Sequence, residues 1–184
     1  MAAIIVIALR VILPLSILRW PLAGGVLAMV IDAVDVVLVD AIAGLLGQPG
    51  EFGPFYAQID KWLDTYYLAL ELIVVVRRFE PPSRMAGILT FVWRLAGVIA
   101  FEVTAYRPLL LIFPNLFENF YLYYLVARRW FPRLVPRTAL QTVLVLLALL
   151  VPKLAQEWVL HWEELHPWQW LRNNVIAPLL GAPS

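Results

Sequence analysis

LAGGVLAMVIDAVDVVLVDAIAGLL, residues 22–46, decides how the rest of the chain is read. An apolar run of about 20 residues is the length that crosses a bilayer as a helix. Asp32 and Asp35 fall in its middle, where an ionisable side chain is costly in hydrocarbon and turns toward a partner or a water-filled cavity. The stretch therefore predicts a membrane helix with one lipid-facing side and one polar side that faces other helices.

The same pairing of greasy length and internal charge recurs along the chain. Spans are predicted at roughly 2–19, 22–46, 56–78, 85–105, 107–128 and 138–161. This gives an all-α, polytopic membrane protein: one integral domain of about six transmembrane helices joined by short loops. Pro14 is expected to kink the first span, since a proline inside a helix removes one backbone hydrogen bond. That first span, with Arg10 in its middle and no charge ahead of its apolar run, is expected to be retained rather than cleaved as a signal. The glycines and prolines of GLLGQPGEFGPF break the pattern after the second span. The segment 162–184, with Trp162, Trp168 and Trp170, is too proline-broken to span and is expected to lie on the outer membrane surface.

Composition agrees. The chain has 184 residues, 62% of them hydrophobic, with a mean hydropathy of +0.81. Soluble domains run nearer 45–50% apolar. Cysteine is absent, which excludes disulfides, thiolate metal sites and a cysteine nucleophile.

Arginine placement sets the expected orientation. Alternate turns hold Arg19, then Arg77, Arg78 and Arg84, then Arg128, Arg129, Arg133 and Arg137, while the opposite connections hold Lys61, Arg107 and Arg172. Cytoplasmic loops carry the excess of Lys and Arg, so both termini are expected outside a bacterial-type plasma membrane. Trp62, Tyr66 and Tyr67 near one end, and Trp130 and Phe131 near the other, fit the aromatic belts at headgroup level. YYLALELIVVVRRFEPPSR (66–84) and FYLYYLVARRWFPRLVPR (120–137) echo each other, which belts plus basic turns explain without duplication.

The candidate site is the charged layer near mid-membrane: Arg10, Asp32, Asp35, Glu71, Arg94, Asn115, Glu118, Asn119 and Lys153. In the structural reading, Arg10, Arg94 and Lys153 neutralise Asp32, Asp35, Glu71 and Glu118 in ion pairs that fix helix register. In the functional reading they line a polar cavity open to the outside. The carboxylates outnumber the bases, so a proton or a cation completes the set. Asp60, Asp64 and Glu71 form one stripe on the third span, with Asp40, Asp60, Asp64, Glu102 and Glu157 nearer the outer face. Lys153, Glu157 and His161 are spaced one helical turn apart. In FPNLFENFYLYY, Pro114 frees a backbone carbonyl beside Asn115, Glu118 and Asn119, the kind of broken helix that transporters use for binding.

These features point first to a small transporter or channel-like protein handling a cation, a proton or a lipid headgroup, possessing no recognisable reaction motif. A membrane-embedded lipid-modifying enzyme, its carboxylates holding a divalent metal, is the second expectation. An accessory or scaffold subunit of a membrane complex, or a homo-oligomer, is the third. His161 and His166 are expected to be interfacial. Nucleic acid is not an expected partner, because topology already explains the arginines. IDAVDVVLVDAI lacks the glycines and the alanine–arginine pair of the CDP-alcohol phosphatidyltransferase motif. In size and span number the chain resembles the substrate-binding subunits of energy-coupling-factor vitamin transporters, a likeness of architecture alone.

Overall fold

A computed structural model describes residues 1–47, 56–104, 106, 109 and 112–161, with the side chains of 56–58 and 156–161 excepted. Among these residues every element is helical. Helix α1 (Ala2–Ile12) runs into a 3₁₀ segment (Leu13–Leu18). Helices α2 (Pro21–Leu45), α3 (Tyr56–Arg78), α4 (Pro81–Thr104), α5 (Leu116–Trp130) and α6 (Ala139–His161) follow. The calls on Arg107, on His166 and on the tail with Trp162, Trp168 and Trp170 lie outside the described residues, as do the side chains of Glu157 and His161.

Prolines set most of the boundaries. Pro14 sits in the first turn of the 3₁₀ segment, so the first span changes its winding there. Pro21 and Pro81 open α2 and α4, where a missing N–H costs nothing. The expected fifth span, 107–128, is not one helix. Pro114 has no N–H to donate, and Asn115 caps a new helix that begins at Leu116. α5 is 15 residues long, too short to cross a bilayer alone. Two of the described helices, α2 and α4, are long and apolar enough to cross a membrane; Ala2–Leu18 and Ala139–Ala155 are shorter apolar helices. α3 has the length but carries Asp60, Lys61, Asp64, Glu71, Arg77 and Arg78.

α3 is the central element and packs against α1, the 3₁₀ segment, α2, α4 and α5. Its buried face (Tyr67, Leu68, Leu70, Val74, Val75) meets Phe117, Phe120, Tyr121 and Tyr124 of α5. Phe79 follows α3 and stacks on Tyr124, with ring centroids 3.8 Å apart. Gly24 lets α2 cross the 3₁₀ segment backbone to backbone; a Cβ there would lie 2.7 Å from the Cα of Ile17.

Many large apolar side chains are exposed, while several charged ones are buried beside the apolar core. Val103 is 80% exposed, Val151 71%, Leu140 69% and Ile4 64%, whereas Glu71 is fully buried and Arg10 and Asp35 are 4% exposed. Monomeric soluble proteins rarely show such broad apolar surface, and they bury Arg, Asp and Glu only when these are paired.

Candidate functional site

Arg10 gathers four carboxylates from two helices. Its Nη1 donates to Asp35 and, at 2.8 Å, to Asp60; its Nη2 donates to Asp32 and, at 2.7 Å, to Asp64. The spacing of three on α2 and of four on α3 puts each aspartate pair on one helix face. A guanidinium fits because its donors are fixed in a planar fork. Lys61 adds a second cation, with Nζ 3.1 Å from Asp60 and 3.7 Å from Asp64. The carboxylate oxygens of Asp32, Asp60 and Asp64 lie within 4.8 Å of one another, a spacing that suits a hard divalent cation. Those same carboxylates receive Arg10 here, so the guanidinium already supplies the positive charge.

A second group forms around Glu118 at the start of α5. Asn115 caps the helix by accepting from the Glu118 N–H at 3.5 Å, and its Nδ2 donates to Glu118 Oε2 at 3.1 Å. The Tyr67 hydroxyl donates to Oε1 at 3.0 Å. The Asn-x-x-Glu spacing is that of a capping box, so this carboxylate is oriented by its own helix start as well as by α3. Arg94 and Lys153 lie within coulombic reach of Glu118. Arg94 spends one donor on the carbonyl of Phe113, at 3.1 Å. Asn119 is half-buried one residue further along α5.

Glu71 belongs to neither group. It is fully buried, and neither of its carboxylate oxygens has a hydrogen-bond partner among the described residues. It sits against α2 at Gly25, where a Cβ would lie 3.0 Å from Oε1 and 2.9 Å from the Tyr121 ring. Its charged neighbour is Glu118. Asp64, Glu71 and Arg78 are spaced seven residues apart on α3, so they share a face at steps of about 10 Å.

The expected ion pairs are thus realised selectively. Arg10 takes Asp32 and Asp35, whereas Glu71 receives no donor. Sequence reasoning left Lys61, Asp60, Asp64 and Tyr67 out of the site. Counting depth from helix ends put the two aspartates near the outer face, but the long side chain of Arg10 reaches them. The signal for them was present: Asp60 and Asp64 at i, i+4 repeat the shared face of Asp32 and Asp35. Among the described residues, the two groups and Glu71 comprise six carboxylates (Asp32, Asp35, Asp60, Asp64, Glu71, Glu118) beside four cations (Arg10, Lys61, Arg94, Lys153). Comparison of the chain with protein-family models, with curated proteins and with solved structures gives no match.

Proposed function

We propose that this chain is a multi-pass membrane protein that passes protons or a small monovalent cation along α3, with Glu71 as the relay. One observation carries the reading: a fully buried carboxylate with no hydrogen-bond donor among the described residues, next to a second buried carboxylate. An ionised carboxylate in that position costs several kcal/mol unless something neutralises it. A bound proton or a transient cation does so. Ionisable residues within membrane segments mark such pathways and proton relays.

The surroundings suit the task. The aspartate group around Arg10 lies one 10 Å step from Glu71, on the side of the first turns of α3. Arg78 lies a similar step away on the other side, where Arg19, Arg77, Arg128 and Arg129 also gather. In this proposal that arginine end is cytoplasmic, and the apolar outer faces of α2, α4 and α6 meet lipid. The excess of carboxylates over cations among these described residues favours a positive rather than a negative cargo.

Flux into proteoliposomes tests the proposal. With a pH-sensitive dye inside and a potassium or sodium gradient applied, the wild-type chain is expected to move protons or cations. Glu71→Gln, which keeps shape and removes the exchangeable charge, is expected to reduce the rate at least about a hundredfold, the low end of what one positioned proton carrier contributes. Flux that is equal in both chains, or absent from the wild type at every gradient, overturns it.

A further inference from the structure

We infer that a second site lies at the opposite end of α3 from the aspartates: a cleft that binds a phosphate group, presented by an anionic phospholipid at headgroup level. The cleft encloses about 660 Å³ and is lined by Arg19, Trp20, Arg77, Arg78, Arg128 and Arg129. These arginines come from three separate places in the chain: the turn before α2, the end of α3 and the end of α5. Among the described residues no acidic side chain lines the cleft. None of its five arginines forms an ion pair with a carboxylate among the described residues. The contrast with Arg10, which holds four aspartates, is sharp. The fold supplies anions to one arginine in its interior and leaves the five that line this cleft without an ion-pair partner among the described residues.

Several contacts hold these side chains in place. Arg78 Nη2 donates to the Leu18 carbonyl at 3.5 Å, and Arg128 Nη1 donates to the Arg78 carbonyl. Arg19 lies over the Trp20 ring at 5.9 Å, and Arg129 over the Trp130 ring at 5.1 Å. Four of the five cations are therefore held by carbonyls or rings, which leaves guanidinium donors for a ligand. Guanidinium forks bind phosphate through paired, charge-assisted hydrogen bonds.

The lipid source follows from the walls. Leu22 and Leu125 also line the cleft, giving an apolar wall beside the arginines. Trp20 and Trp130 are 62% and 56% exposed at this end. Exposed tryptophans mark the depth of headgroups, and basic clusters just beyond the membrane ends of helices attract anionic lipid. The inference rests on the membrane reading above but not on ion movement.

Binding of water-soluble dioctanoyl phosphatidylglycerol to the purified full-length chain in neutral detergent tests it, with dioctanoyl phosphatidylcholine and inorganic phosphate as comparisons. The glycerol lipid is expected to bind at least about tenfold more tightly than the choline lipid. R78Q/R129Q is expected to lose at least about tenfold in affinity, each arginine near an anionic surface being worth several-fold. R133Q/R137Q removes two exposed arginines of the α5–α6 connection that do not line the cleft, and is expected to change affinity less than about twofold. Equal losses in the two double variants overturn the site and leave only diffuse charge. Inorganic phosphate that binds as tightly as the lipid assigns the cleft to a soluble anion and overturns the lipid source. A chain that binds the lipid but moves no ions refutes the preceding proposal alone.

Discussion

Arg10 and Glu71 show how differently single residues can sit in the same interior. Arg10 is satisfied four times over, so its removal leaves four aspartates together, with Lys61 near Asp60 and Asp64 alone. Arg10→Leu is expected to destabilise the chain by about 3–5 kcal/mol, the usual cost of breaking a buried pair from one side, read as a fall in unfolding temperature in detergent. An unchanged transition would show that the aspartates do not need the guanidinium. Glu71 and Glu118 separate in the opposite manner. Glu118→Leu strands the Tyr67 hydroxyl and removes an Asn115 contact, and is expected to cost about 1–3 kcal/mol. Glu71→Gln breaks no hydrogen bond and is expected to change stability by less than about 1 kcal/mol, so its effect on flux can be read without loss of fold. At this scale the sequence was informative about type: charges inside an apolar run turn toward other helices, as Arg10, Asp35, Glu71 and Glu118 do. It could not say which charge meets which. That choice depends on how far a side chain reaches between helices, as with Arg10 and Asp60, fifty residues apart.

The helices themselves were legible where one rule acted alone. The apolar run ending near Leu46 and the one ending at Arg78 appear as α2 and α3, because nothing inside either run interrupts the backbone hydrogen bonds. The fifth span was legible only in part. Its hydropathy ran on through residues 107–128, while Pro114 and Asn115 divided the backbone beneath it. Composition reports solvent preference, and it is blind to a missing N–H unless the proline is given priority. Close approach is the other property that composition hides. Gly24 is unremarkable in an apolar run, but it is where α2 touches the backbone of the 3₁₀ segment. Gly24→Ala is expected to destabilise by about 1–3 kcal/mol, the range for forcing atoms into a filled space. Gly44→Ala, on the same helix with nothing within 4 Å of its Cβ, is expected to be neutral or to stabilise by up to about 1 kcal/mol. Equal effects at the two positions would mean that the crossing at Gly24 is looser than described.

For the molecule as a whole, the two echoing stretches 66–84 and 120–137 acquire a spatial meaning. Each contains an Arg-Arg pair, and both pairs line the same cleft with Arg19. That is the result expected if the connections after the first, third and fifth spans lie at one end of the bundle. It could not be obtained from arginine counts alone, which give an average over loops and not their positions. The arrangement makes a definite demand on topology. If the apolar outer faces lie in lipid, Glu80 in the α3–α4 turn and Arg133 in the α5–α6 connection must be on one side of the membrane. Gly47, beyond α2, must be on the other. All three positions are exposed, and the chain has no cysteine of its own, so single cysteines report without background. Labelling of intact cells with a membrane-impermeant maleimide is expected to modify Gly47→Cys readily, and Glu80→Cys and Arg133→Cys only after permeabilisation. The short α5 sharpens this test. With 15 residues it cannot cross a bilayer unaided, so the side on which Arg133 lies depends on the chain preceding Pro114 completing the passage. Glu80→Cys and Arg133→Cys labelling from opposite sides would mean that α5 turns back within the membrane, and would remove both the shared arginine end and the path along α3 that leads to it.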